Sequence, residues 1–129
     1  MAEQLVPILR VADARRAAQW YGQLGFEIEF EEQYSPEFPA YVGVAKGDLA
    51  IHLSERAGDA TPDTLLYLFI DDVDKLAAEL GVEVVETNRT REIHLTDLDR
   101  NRLRVGTKVP AVASDSGAVS NGVAPDDDA

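Results

Sequence analysis

The chain has 129 residues, of which 24 are acidic and 12 are basic, so its formal net charge at pH 7 is −12. This negative charge argues against a nucleic-acid-binding protein, which needs Lys and Arg to displace counterions from phosphates. It disfavours binding to an anionic membrane surface for the same reason, whereas it would attract a cationic ligand. Hydrophobic residues make up 45% of the chain, which is enough for the packed interior of one domain.

Several further classes are excluded by what the sequence lacks. It contains no cysteine, so it has no disulfide, zinc–thiolate site, iron–sulfur cluster or cysteine nucleophile. The first residues, MAEQLVPILRV, have neither the basic start nor the long apolar run of a signal peptide. No stretch of 18 apolar residues indicates a membrane-spanning helix. We therefore expect a soluble cytoplasmic protein.

The first predicted elements are a strand and an amphipathic helix. Val6–Val11 is a short apolar run typical of a strand. Asp13 follows at the position of a helix N-cap, and Gly25 is placed to end the helix. Five apolar residues share one face at helical spacing: Ala14, Ala17, Ala18, Tyr21 and Leu24. The pattern predicts a helix that packs on a sheet.

Three more strands are predicted before residue 55. Phe26–Phe30 alternates apolar and acidic residues, as a half-buried strand does. Tyr41–Val44 and Leu49–Ser54 are joined by Lys46-Gly47-Asp48, which indicates a hairpin. The intervening segment 31–40, EEQYSPEFPA, contains two prolines and is predicted to be a loop at the rim of a site.

The second half repeats this order of elements. Leu65–Ile70 is a predicted strand, Asp72 is a predicted N-cap, and Gly81 ends the predicted helix. Its apolar face consists of Val73, Leu76, Ala77 and Leu80. The predicted strands that follow are Val82–Val84, Glu92–Thr96 and Leu103–Val105, the last two joined by a turn at Asp97–Asn101. The whole pattern is βαβββ twice, an α+β fold in which two modules pair their sheets and leave a concave surface.

The predicted domain covers residues 1–109, with modules at about 4–55 and 64–108. From residue 110 the chain reads PAVASDSGAVSNGVAPDDDA, with no aromatic residue and no sustained period. This segment predicts a mobile acidic tail, because it has too little apolar surface to offset the entropy of ordering. Residues 27–37 contain five Glu and no base, whereas residues 87–109 contain six bases and three acids. These stretches fit solvated strand faces or the charged mouth of a pocket.

Three segments resemble the vicinal-oxygen-chelate superfamily of glyoxalase I, extradiol dioxygenases and bleomycin-resistance proteins. PILRVADARRAAQWYGQLGF is similar to the opening strand and helix, GVAKGDLAIHLS to the bleomycin-resistance stretch, and REIHLTDLDRN to the closing strand and turn. The likeness covers residues 4–107. In the closing turn, Leu98 and Arg100 replace the family's usual Pro and Gly, so the turn lacks its most permissive residue.

The resemblance also implies where a metal would be held. The four ligand positions of the superfamily's enzymes fall on Val6, His52, Leu65 and Arg104. Only His52 of these is a possible ligand, and Arg104 would oppose a cation. We therefore expect neither a metal nor another cofactor and no catalytic residue, although His52 acting as a general base stays an alternative.

A binding module is the remaining prediction. Alternate residues of a strand face the same side, so residues in step with the four metal-ligand positions are expected to line the pocket. Aromatic residues of the preceding loop are expected at its rim. The predicted ligand-binding residues are His52, Tyr67, Phe69, Arg102, Arg104, Phe38, Tyr41 and Ser54. For Tyr67 and Phe69, the competing interpretation is that they fill the space a metal would have occupied.

Three functions stay open at this stage. The first is a metal-free protein that sequesters an antibiotic or a similar ligand, and the resemblance implies a homodimer with the cleft at its interface. The second is a divergent glyoxalase- or dioxygenase-type enzyme. The third is a regulatory module for an anionic metabolite, which Arg102 and Arg104 would favour if both point into the cleft.

Overall fold

A computed structural model describes residues 3–109 of the chain. The elements are β1 (Ile8–Arg10), α1 (Ala14–Gly22), β2 (Glu27–Glu32), β3 (Tyr41–Lys46), β4 (Leu49–Ser54), β5 (Leu65–Phe69), α2 (Val73–Leu80), β6 (Val85–Glu86), β7 (Thr90–Thr96) and β8 (Arg102–Lys108). The predicted βαβββ order is confirmed in both halves of the chain. The predicted tail, residues 110–129, lies outside the described residues.

The first sheet has the strand order β1-β4-β3-β2. β1 runs parallel to β4, whereas β3 is antiparallel to both β4 and β2. Helix α1 contacts β2, β3 and β4, and the apolar residues of its predicted face are buried. The side chains of the sheet that form this core are each at most 1% exposed: Leu9, Val42, Val44, Ile51 and Leu53.

The second sheet has the order β5-β8-β7-β6, and β6 is antiparallel to β7. Burial alternates along β5 and along the first four residues of β8, so that these segments have a covered side and an exposed side. On β8, Leu103 and Val105 are each 1% exposed, while Arg102 and Arg104 between and beside them are exposed. The buried face of α2 is formed by Val73, Leu76 and Ala77.

Both helices begin at the predicted residues. The carboxylates of Asp13 and Asp72 accept hydrogen bonds from the backbone N–H groups of Arg16 and Lys75, each at 3.1 Å. These bonds satisfy donors that have no partner inside the helix.

The helix ends differ from the prediction in one case. Gly81 is the left-handed C-cap of α2, with a φ of 70°, as predicted. Helix α1 instead ends at Gly22, and Gly25 takes its left-handed φ of 101° later, in the turn before β2. Only glycine adopts that φ without steric cost.

Two predicted strands are shifted in the structure. The sequence predicted Val82–Val84, whereas the strand is β6 at Val85–Glu86. The N–H of Val82 bonds to the carbonyl of Ala77 at 3.0 Å, which keeps Val82 in the turn that closes α2. β2 starts at Glu27 and extends to Glu32, and its pairing with β3 shifts register between Ile28 and Phe30.

The turn between β7 and β8 connects segments that are far apart in sequence. The Asp97 carboxylate accepts the Tyr21 hydroxyl at 2.8 Å and the backbone N–H groups of Asp99 and Asn101, both at 2.8 Å. The Asn101 amide donates to the Arg10 carbonyl and accepts from the Thr64 N–H. Asn101 is fully buried and Asp97 is 7% exposed. The Asp and Asn of the motif are therefore structural.

The chain forms two compact units. Of the described residues, one unit comprises 3–68 together with His94–Arg104, and the other comprises Phe69–Ile93 together with 105–109. The first sheet and α1 belong to the first unit, as do Tyr67, Arg102 and Arg104. No helix of residues 3–109 has the length and apolar character needed to cross a membrane.

Candidate ligand-binding site

The face of the first sheet that α1 leaves uncovered is lined by alternate residues of its strands. His52 lies in the middle of this face, because it pairs with Ile8 of β1 on one side and with Gly43 of β3 on the other. Ile8 is 40% exposed, and His52 is half-buried. His52 therefore lies on the side of β4 opposite its buried neighbours Ile51 and Leu53.

The rings of Phe30 and Tyr41 contact His52, and we call Phe30, Tyr41 and His52 the aromatic cluster. The Phe30 ring stacks on Tyr41, with ring centres 6.2 Å apart and planes inclined by 18°. It also meets the His52 ring edge to face at 5.1 Å. Such pairs contribute about 0.5–1.5 kcal/mol beyond the area they bury.

The position of Phe30 depends on the register shift and on a glycine. The shift in β2 places Phe30 opposite Gly43. A Cβ atom on Gly43 would collide with the Phe30 ring, so the ring lies over a bare backbone. This close approach is the reason that the position suits glycine.

A short hydrogen bond joins two members of the cluster. The Tyr41 hydroxyl lies 2.7 Å from Nδ1 of His52. Burial, and to a smaller extent the charge of Asp59, raises the pKa of Tyr41 above its ordinary value, so the hydroxyl keeps its proton and can donate. The Arg56 guanidinium carbon lies 4.7 Å from the centre of the Tyr41 ring, a cation–π distance.

Two predicted site residues, Ser54 and Phe38, have contacts outside the aromatic cluster. Ser54 is fully buried, and its hydroxyl donates to Asp59 at 2.7 Å while accepting the N–H of Arg56 at 3.0 Å. It therefore holds the loop that follows β4. Phe38 is 48% exposed and packs its ring against Tyr34 at 5.1 Å.

Three further predicted residues lie on exposed sides of the second sheet within the first unit. Tyr67 on β5 is 39% exposed, and Arg102 and Arg104 on β8 are both exposed. Phe69 belongs to the second unit, where the Lys108 ammonium lies 5.0 Å from the centre of its ring. These side chains are not part of the buried core.

The four positions that correspond to metal ligands do not fit a metal. Val6 and Leu65 carry no donor atom, and Arg104 is a permanent cation. His52 already has a partner at Nδ1. Within residues 3–109, no group of three or more His, Asp or Glu side chains could hold an ion.

The sequence interpretation missed Phe30 and Arg56. The sequence indicated only that Phe30 belongs to an alternating strand, because the register shift within that strand leaves no local signal. Arg56 follows β4 by two residues and reaches the Tyr41 ring through the turn of the chain. The one usable signal was Gly43 inside a strand, since glycine there often marks a close approach.

Several solved structures are similar to this chain. TnmS3, an antibiotic-binding protein from Streptomyces sp. CB03234, is 22% identical, with a TM-score of 0.68 over 84% of this chain and 98% of that one. A bleomycin-binding protein complexed with bleomycin is 21% identical, with a TM-score of 0.61 over 82% and 98%. TioX from Micromonospora sp. ML1 is 15% identical, with a TM-score of 0.66 over 84% and 100%. These likenesses establish a shared fold.

Among curated proteins, none matches this sequence significantly. A family model described as "Glyoxalase superfamily protein" matches residues 1–89, which is more than half of the chain. The predicted relationship to the vicinal-oxygen-chelate proteins is confirmed, and the chain belongs to the glyoxalase superfamily.

Proposed function

We propose that this protein binds a small organic ligand with a planar ring system and sequesters it without metal-dependent chemistry. The observation that carries the proposal is the aromatic cluster on the uncovered face of the first sheet. The core of that sheet is complete without these rings, because Leu9, Val42, Val44, Ile51 and Leu53 fill it. Rings that the core does not need are available to stack on a ligand.

The solved neighbours support an antibiotic or an antibiotic-like compound as the ligand. Two of them are described as binding bleomycin or an antibiotic, and they share the fold of this chain. The positions Val6, Leu65 and Arg104 support binding without a metal, since none of them offers a donor. In this proposal the protein acts in the cytoplasm and releases its ligand chemically unchanged.

The binding test is calorimetric titration with bleomycin and with planar aromatic antibiotics, followed by NMR mapping of the shifted amides. We expect Tyr41→Ala and His52→Ala to weaken binding by about tenfold or more, which is roughly 1.4 kcal/mol. Tyr34→Ala is the matched control, because Tyr34 is 89% exposed and contacts Phe38 instead. The proposal would be contradicted if titration at high micromolar ligand gave no heat of binding, or if Tyr34→Ala lost as much affinity as the site variants.

We further propose a homodimer in which a second copy completes the ligand cleft. The exposed apolar side chains Ile8, Leu65 and Tyr67, between 39% and 42% exposed, are suited to such contact. Sedimentation equilibrium should give twice the 14.1 kDa of one chain. A single species of one-chain mass at high micromolar concentration would exclude the dimer and leave the ligand proposal to the calorimetry.

A further inference from the structure

Two arginines project from the exposed side of β8. Arg102 and Arg104 are two residues apart on a strand, so their side chains leave the sheet on the same side, roughly 6.5–7 Å apart. Leu103 and Val105, each 1% exposed, take the covered side. Both guanidinium groups are exposed and belong to the same unit as Tyr67.

Arg102 and Arg104, like Arg10, Arg16 and Arg89, have no carboxylate within ion-pair distance among the described residues, but only these two are neighbours on one face of a strand. Arg15, Arg56, Arg91 and Arg100 each have a carboxylate within 4.0 Å. Among the described residues, no carboxylate lies that close to Arg102 or Arg104, although the chain has 24 acidic residues. Because neither arginine is paired with an acid, this part of β8 is locally positive although the protein as a whole is negative.

We infer that the Arg102/Arg104 pair binds an anionic group, a carboxylate or a phosphate, on the planar ligand proposed above. Guanidinium groups stay charged at every physiological pH and present a planar fork that matches both anions. Tyr67, 39% exposed, lies on β5, the strand next to β8, and its ring is suited to contact the aromatic part of such a ligand. This inference rests on the proposed binding function and narrows it to acidic ligands.

The test uses three probes that share one ring: 2-naphthoate, 2-naphthyl phosphate and 2-naphthylmethylammonium. Dissociation constants are measured by calorimetry on the full chain at low and moderate salt. We expect the wild type to prefer both anions over the cation. In the variant R102Q/R104Q, anion binding should weaken by about tenfold or more, as expected for charge-assisted hydrogen bonds, while cation binding stays the same or tightens.

The matched control is R16Q/K75Q, which removes the same charge from exposed helix positions. At moderate salt it should change the binding of every probe by less than about twofold, because it alters the net charge equally without touching the two arginines, and salt screens the general effect of exposed charges. The variant R102K/R104K distinguishes the two anions. Lysine keeps the positive charge, so phosphate affinity should persist, but it lacks the planar fork, so carboxylate affinity should fall. Thermal unfolding verifies that all variants are folded.

The outcomes separate this inference from the function on which it rests. Binding of all three probes with equal affinity, or equal losses in R102Q/R104Q and R16Q/K75Q, would overturn the anion site and keep the planar-ligand function. Binding of no probe by the wild type would count against both. Preference for naphthoate, for naphthyl phosphate, or for the two equally identifies the group that the ligand carries.

Discussion

At the scale of single residues, the hydrogen bond between Tyr41 and His52 decides what the imidazole can offer a ligand. A phenol is a better donor than a neutral imidazole N–H, and an imidazole nitrogen is a better acceptor than a phenol oxygen. We therefore expect the Tyr41 hydroxyl to donate to Nδ1, which lies 2.7 Å away, and a neutral ring to carry its proton on Nε2. In that tautomer, His52 has an N–H donor left for a ligand.

We predict that Tyr41→Phe changes the tautomer of His52. In the wild type, long-range ¹H–¹⁵N spectra at alkaline pH should show a protonated Nε2 and an unprotonated Nδ1. In the variant the proton should distribute over both nitrogens, because the donor that fixed it is gone. Tyr34→Phe should leave the spectrum unchanged. A protonated Nδ1 in the wild type would show that Tyr41 accepts rather than donates.

Arg100 is strained by its backbone conformation. It has a φ of 68°, the left-handed region, where an L-residue other than glycine pays about 1–2 kcal/mol. Its ion pair with Asp63 is long, at 3.6 Å, and exposed, so it offsets little of this cost. The sequence showed that the turn had lost its usual glycine, and the structure shows that Arg100 adopts the glycine conformation anyway.

Arg100→Gly should therefore stabilise the protein by about 0.5–1 kcal/mol, after allowing for the greater chain entropy of glycine when unfolded. Urea unfolding followed by circular dichroism would measure the change. Leu98→Gly is the control, since Leu98 lies in the same turn without a positive φ, and it should give no gain. A less stable Arg100→Gly variant would mean that the guanidinium contributes more than its exposed contact indicates.

At the scale of secondary-structure elements, the shape of the candidate site depends on how β2 pairs with β3. The register shift turns Phe30 toward Gly43, and the absence of a side chain there lets the ring approach both Tyr41 and His52. We predict that Gly43→Ala displaces the Phe30 ring.

Because Phe30 is only half-buried, its ring can move outward, and we expect a loss of about 1 kcal/mol or less in unfolding free energy. The loss in affinity for a stacking ligand should be larger than the loss in stability. Ala45→Gly, on the same strand and the same side, is a control that leaves Phe30 in place. Unchanged ligand affinity in Gly43→Ala would remove Phe30 from the site.

The closing turn anchors α1 through Tyr21. Burial first, and then the Asp97 carboxylate, raises the pKa of Tyr21 well above its ordinary value. The folded state thus keeps the Tyr21 proton at a pH where the unfolded chain loses it. This contribution to stability is complete below about pH 10 and decreases above it, by up to about 1.4 kcal/mol per pH unit.

We expect Tyr21→Phe to reduce that alkaline slope, because phenylalanine has no proton to lose. At neutral pH the variant should be less stable by about 1–2 kcal/mol, since Asp97 loses a buried donor. Urea titrations between neutral pH and about pH 11 would measure both effects. Tyr34→Phe removes an exposed tyrosine and should leave the slope as it is. An unchanged slope in Tyr21→Phe would assign the alkaline loss to other groups.

At the scale of the whole molecule, the net charge of −12 opposes folding through self-repulsion. Screening this repulsion should raise the melting temperature as salt increases from about 20 to 200 mM. The matched variants are Glu29→Gln and Glu31→Gln. Glu31 pairs with Arg15 at 2.7 Å, and no base pairs with Glu29 in residues 3–109. Glu29→Gln should stabilise the protein at low salt, whereas Glu31→Gln should not.

The sequence by itself determined the order of the elements and the limits on chemistry. Asp13, Asp72 and Gly81 act locally, through bonds and dihedral angles within a few residues, so their roles were readable from spacing. The buried faces of α1 and α2 followed from the helical period. The lack of donor atoms at Val6 and Leu65 is likewise a property of the residue type.

Only the tertiary structure decided which side chains meet. The contact of Tyr41 with His52 depends on strand pairing, and that of Phe30 with Gly43 on a register shift, both of which are non-local. Ser54 had the parity of a site residue, yet a loop closes over its hydroxyl. The structural role of Asp97 and Asn101 also depends on non-local contacts. Their partners Tyr21, Arg10 and Thr64 are at least 37 residues away in sequence.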